Sequence, residues 1–105
     1  FRRYDSLKEE IEDYDEVYQI TIEDLKEDIW IEVKNGEISF NRGIHPDASL
    51  RMRFTRNTML RVLKQEMNGA DAYMRGLMKV EGTLTEGFRF YSMVRHFFIH
   101  LNEEN

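Results

Sequence analysis

Two hydrophobic periods alternate along the chain and divide it into elements. Tyr4, Leu7, Ile11 and Tyr14 recur at helical intervals around "SLKE", whose Ser6 and Glu9 have capping-box spacing, so a short first helix is predicted. From Tyr18 the period becomes two. Tyr18, Ile20 and Ile22 alternate with Gln19, Thr21 and Glu23, and "EDLKED" then supplies the polarity of a turn. "IWIEVKNGEISF" reads as a hairpin, because a type I′ turn needs positive φ at both central residues and Asn35-Gly36 provides it. That turn sets the register: Lys34 opposite Glu37, Val33 opposite Ile38, Glu32 opposite Ser39 and Ile31 opposite Phe40. "ASLRMRF" places Leu50, Met52 and Phe54 against Ser49, Arg51 and Arg53. "MKVEGTL" places Met78, Val80 and Leu84 against Lys79, Glu81 and Thr83. One apolar and one polar face on every strand describe a largely antiparallel sheet, wetted on one side and covered on the other.

Helices must supply the cover. Thr55 can cap a helix carrying Met59, Leu60, Leu63 and Met67, with Asn68-Gly69 as its stop; a helical turn "ADAYMR" follows and ends at Gly76. The last helix, about Glu86 to Glu103, is apolar over an unusually wide arc. Phe88, Phe90, Tyr91, Met93, Val94, Phe97, Phe98, Ile99 and Leu101 sweep roughly 240° of its circumference, interrupted by Arg95, with Arg89, Ser92, His96 and His100 as the polar strip. A helix on a single sheet needs an arc only somewhat wider than about 100°. The surplus fits three arrangements: a contact with a partner chain, a cavity between helix and sheet, or a small core wrapped by neighbouring helices. Met52, Met59, Met67, Met74, Met78 and Met93 all fall on apolar positions. Flexible thioethers suit an adaptable cavity wall and equally suit an irregular core.

A length of 105 residues implies one domain, residues 1–105, and leaves no room for a separate catalytic unit. The 41% hydrophobic and 33% charged content belongs to a folded chain rather than a disordered one. A net charge of −5 argues against a nucleic-acid binder, since phosphate contacts need a basic stripe. The acidic run "EEIEDYDE" reads as a solvated face. The sequence has no cysteine, which removes disulfides and thiolate metal sites and fits a reducing compartment, the cytoplasm being the default. No apolar run reaches the roughly 20 residues that span a bilayer, so no stable membrane insertion is expected. The chain opens on Phe1, without the apolar core of a signal peptide, and residues upstream of it are expected.

Candidate chemistry is sparse. His96 and His100 are four apart on a helix, but "FFI" between them lacks the glutamate of a zinc-protease motif and no third ligand is marked. His45 precedes Pro46 in a turn. There is no GxSxG, no thiol and no phosphate-cradling glycine loop, and the carboxylates lie in surface-like runs. No catalytic residue, metal site or cofactor is expected, and the chain does not read as an enzyme.

The ordered set Trp30, Asn35-Gly36, Asp47-Ala48, Met59 to Met67, Tyr73-Met74, Gly76 and Lys79-Val80-Glu81-Gly82 resembles the sterol carrier protein type 2 superfamily over about residues 29 to 98. The resemblance implies an α+β, two-layer fold: a five-stranded, largely antiparallel sheet with helices on one face and an apolar tunnel between the layers. It implies non-catalytic binding or transfer of fatty acids, fatty acyl-CoA, phospholipids or sterols. The alternative is a dimerisation or interaction module of the same fold, attached to a larger enzyme or to a second copy through the C-terminal helix. Phe40, Met52, Phe54, Leu63, Met67, Tyr73, Met74, Leu77, Phe90, Met93, Val94 and Phe97 are the expected tunnel wall, and Arg75 is the candidate polar group at its mouth. Three features depart from the family pattern, the first being a short or truncated N-terminal helix. Leu77 stands where a lysine is common, and the chain ends "HLNEEN" without a peroxisomal tripeptide, which fits a prokaryotic cytosolic relative at least as well as a peroxisomal one.

Overall fold

The computed structural model describes the backbone of residues 14–104 and the side chains of residues 14–95 apart from Leu84. The first helix predicted around Ser6 lies outside the described residues, except that Tyr14 stands just before the first strand instead of on a helix. Strands β1 (Asp15–Ile22), β2 (Glu27–Lys34), β3 (Glu37–Arg42), β4 (Leu50–Phe54) and β5 (Met78–Glu81) form one sheet in the order β3-β2-β1-β4-β5. The β2–β3 hairpin has the register its turn dictates, Lys34 with Glu37 through Ile31 with Phe40. Asn35 and Gly36 take φ of 55° and 75°, as a type I′ turn requires.

β1 and β4 pair in parallel, while the other neighbours are antiparallel. The cause is the path of residues 43–49, which carry the chain back across the polar face of β2 and β1 before β4 begins. Gln19 holds this crossing. Its Nε2 donates to the carbonyls of Ile29 at 3.1 Å and Gly43 at 3.0 Å, and its Oε1 accepts from the His45 amide at 2.8 Å. The Trp30 ring meets the His45 imidazole edge-on at 4.7 Å, and Arg51 donates to the His45 carbonyl at 2.8 Å. The face expected to be wet is therefore roofed over its middle, and a buried glutamine there has all its polar atoms satisfied.

Helices α1 (Arg56–Leu63), α2 (Gly69–Met74) and α3 (Leu84–Glu104) lie on the other face. Thr55 caps α1 as expected, its Oγ1 accepting from the Thr58 amide at 3.2 Å. The helix does not continue to Met67. It ends at Leu63, because Gln65 adopts a φ of 63° and the Glu66 amide reaches back to the Arg61 carbonyl at 2.8 Å while Gln65 reaches Val62 at 3.1 Å. This Schellman stop forms on a glutamine, which carries no sequence signal for a left-handed position. Gly69 consequently opens α2 rather than closing α1, with Asn68 as the cap. The same stop ends α2 on Gly76, where the signal is plain: φ is 77°, and Leu77 and Gly76 donate to Ala72 and Tyr73.

Leu84 belongs to α3, not to the last strand. β5 ends at Glu81, Gly82 turns with a φ of 134°, and Thr83 caps the helix through a 3.1 Å bond from the Glu86 amide. A side chain at Gly82 would stand 2.9 Å from the Ser49 carbonyl, so this corner packs directly against the start of β4. The core runs along the helix-side face of the sheet through Tyr18, Ile22, Ile31, Val33, Leu50, Met52 and Phe54, to which α3 adds Phe90 and Met93.

Candidate functional site

The helix layer does not close on the whole sheet. Between the layers lies a cavity of about 1180 Å³, above the roughly 300–1,000 Å³ of ordinary small-molecule pockets. Its floor is the apolar face of every strand: Ile20 and Ile22, Ile29 and Ile31, Ile38 and Phe40, Met52 and Phe54, Met78 and Val80. Its roof comes from Met59, Val62 and Leu63 of α1, the start of α2 with Tyr73, and one flank of α3 from Gly87 to Val94. The two glycines of the roof behave differently. A Cβ on Gly69 would lie 3.0 Å from the Tyr91 ring, whereas one on Gly87 would meet nothing within 4 Å.

The described part of the apolar arc of α3, Phe88 to Val94, borders this gap. Ile20, Ile29, Ile38, Met59, Met78, Val80 and Val94 pack on the core cluster yet stay only half-buried, because they look into the cavity. Phe40 and Phe88, 66% and 60% exposed, mark the rim. Polar atoms are few: the Tyr73 and Tyr91 phenols, the Asn68 amide, and Glu37 at the first position of β3.

Of the expected wall, Phe40, Met52, Phe54, Leu63 and Tyr73 border the cavity, as do Phe90, Met93 and Val94. Met67, Met74 and Leu77 do not. Met67 is buried apart from the main core by the early stop of α1, Met74 is 81% exposed, and Leu77 sits just past the α2 stop with its side chain outward. Arg75 is the C-terminal cap residue of α2, exposed and away from the lining. The Phe97 side chain lies outside the described residues, as do those of His96 and His100. The isoleucines of the floor, Met59, Val62, Met78, Val80, Gly87, Phe88 and Tyr91 also border the cavity; alternation and the helix arc marked most of them as inward-facing, but nothing local marked them as facing a void.

One end of the same face is closed. Tyr18 is fully buried with its ring 4.6 Å from that of Phe90, and its hydroxyl has no hydrogen-bond partner among the described residues. Burial, and then the nearby Glu86 and Glu16 carboxylates, push its phenol far above the ordinary value. Over it, Arg89 reaches Glu86 at 2.7 Å and Glu16 at 3.8 Å and lies 4.3 Å from the centre of the Tyr14 ring; the Ser49 hydroxyl also donates to Glu16. Arg89 and Glu16, expected on solvated faces, thus clasp the helix to the sheet. Among the described residues no cluster of three metal-ligating side chains occurs, and no helix is long and apolar enough to cross a membrane.

A mixed five-stranded sheet roofed by helices on one side, with a large apolar cavity between, defines a two-layer α+β protein. The chain belongs to the SCP-2 sterol transfer family, whose family model matches residues 1–91. Membership implies lipid or sterol binding or transfer. Solved structures share the fold at low identity. The stereoselective inverting sec-alkylsulfatase Pisa1 from Pseudomonas sp. is 22% identical with a TM-score of 0.76, over 82% of this chain and 14% of that one. Sterol carrier protein 2 from Yarrowia lipolytica, in its apo form, is 16% identical with a TM-score of 0.64, over 90% and 74%. Palmitated SCP2L2 from Aedes aegypti is 14% identical with a TM-score of 0.62, over 88% and 94%. The chain thus spans only 14% of the length of the alkylsulfatase it matches. No curated protein matches the sequence.

Proposed function

We propose that this domain binds a lipid in the cavity between sheet and helices, and carries or presents it without covalent chemistry. The observation behind this reading is the chamber itself: an apolar void of about 1180 Å³ bordered by half-buried isoleucines, methionines and valines. Side chains that could have closed on one another instead leave apolar surface uncovered, at roughly 25 cal/mol per Å². A lipid tail covers that surface. The palmitated state of the Aedes protein supports an acyl or comparable chain as the ligand class. Purified, delipidated protein should bind the neutral fluorophore N-phenyl-1-naphthylamine at micromolar concentration, and organic extraction before delipidation should recover a co-purified lipid. Failure of both would overturn the reading.

A second reading is favoured by the match to a small part of the Pisa1 chain. Here the domain is an appended unit that offers an alkyl chain to a neighbouring catalytic domain. Both readings use the same cavity and the same cytoplasmic setting. They part on whether the domain, mixed with donor and acceptor vesicles, moves lipid by itself, as a carrier would.

A further inference from the structure

The tail of an amphiphile is indifferent to which apolar wall it meets, so its head decides whether it is accepted. An ionised head next to an apolar chamber needs a cation or several converging donors, since a charge taken from water without partners is costly. Among the described residues, no lysine, arginine or histidine borders the cavity, and the one ionised residue that does, Glu37, has the same sign as a carboxylate or phosphate.

Three of the described arginines are committed elsewhere. Arg89 is held between Glu86 and Glu16, Arg53 lies 3.5 Å from Glu23 on the opposite face, and Arg51 donates to the His45 and Pro46 carbonyls. Arg42, two residues beyond Phe40 on the same face of β3, is exposed and does not border the cavity; neither does Arg75. What the wall offers instead is neutral: the Tyr73 and Tyr91 hydroxyls and the Asn68 carboxamide, whose oxygen already caps α2. Such groups suit a hydroxyl or carbonyl. The net charge of −5 adds a long-range preference in the same direction.

We propose that the ligand is a lipid with an uncharged head, a long-chain alcohol, ester or comparable neutral amphiphile, in preference to a fatty-acid anion or a phosphate-bearing lipid. This rests on the reading of the cavity as a lipid site and narrows it. The test is displacement of N-phenyl-1-naphthylamine from the delipidated chain at pH 8 by hexadecanol, hexadecanoate and hexadecyl phosphate, which share one tail. Hexadecanol should displace the probe at concentrations at least about tenfold lower than either anion. Phe40→Lys, on an exposed edge-strand position that tolerates lysine, should shift the hexadecanoate-to-hexadecanol preference about tenfold towards the anion; Phe88→Lys on α3 tests the same point from the other side of the rim. Hexadecanoate or hexadecyl phosphate binding as well as hexadecanol in the unmodified protein would overturn the inference and leave the lipid site standing. Absence of probe binding together with absence of a co-purified lipid would remove the lipid site, and this inference with it.

Discussion

Two adjacent rows of the same sheet face teach opposite lessons about packing. Leu50, Tyr18 and Ile31 face one another across β4, β1 and β2, and the first two are completely buried. One step along the strands, Val80, Met52, Ile20 and Ile29 form the next row, and all but Met52 remain half-buried over the cavity. Both rows are apolar apart from the Tyr18 hydroxyl. What differs is the roof: Phe90 packs on Tyr18 and the Arg89 clasp on Glu16 closes that end of the first row, which reaches the cavity only at Ile31, whereas all four residues of the second row border the cavity. A core is made by what comes down on a strand face, and the face alone does not decide it.

That contrast can be broken most forcefully from the packed row. Leu50→Ala should cost about 2–5 kcal/mol in urea unfolding, because a fully enclosed side chain leaves a new cavity behind. Ile20→Ala should cost only about 1–2 kcal/mol, since part of that side chain already faces empty space; equal losses would mean that the second row is as solid as the first. Next in size, Gly82→Ala should destabilise by about 2–3 kcal/mol. The new methyl would press on the Ser49 carbonyl at 2.9 Å and the φ of 134° suits only glycine.

The hollow side is probed in the reverse sense. Gly87→Leu should leave the melting temperature unchanged or higher, since leucine is the better helix former and its side chain enters open space. It should also weaken probe binding by about tenfold, as a pocket narrowed by a few carbons does. A lower melting temperature with undiminished binding would place the Gly87 flank outside the chamber.

The smallest effect belongs to Tyr18. Its phenol holds its proton more tightly in the folded protein than in the unfolded chain, because burial and two carboxylates oppose the phenolate. Stability from this source is complete below about pH 10, the ordinary phenol value, and is lost as the pH rises above it. Tyr18→Phe should flatten that alkaline loss. Near neutrality it should be neutral or stabilising by up to about 1 kcal/mol, because it removes a buried hydroxyl without a partner.

Legibility followed how local each cause was. The hairpin register could be read because Asn35-Gly36 and alternation set it within a dozen residues. The Gly76 stop was legible for the same reason; the identical stop on Gln65 was not, because glutamine has no preference for that conformation, and Met67 was consequently expected on the wrong element. Leu84 kept the strand phase past Gly82 although the chain had already turned into a helix. Most of the expected wall residues do border the chamber, since facing inward is a periodic property. Met74, Leu77 and Arg75 do not, because a short helix between two turns has too few residues for its period to show which way it faces.

By itself the sequence determined which face of each strand is apolar, where the β2–β3 turn falls, that helices cover one side only, and the family to which the order of motifs points. Those properties are written in spacing, and spacing survives without knowledge of the rest of the chain. Only the tertiary structure decided that β4 slots in parallel beside β1, that Gln19 holds a crossing over the supposedly wet face, and that the helices stand off the sheet far enough to leave a chamber. The distance between two layers depends on contacts between residues far apart in the chain. The same apolar pattern is compatible with a filled core or a hollow one until those contacts are made.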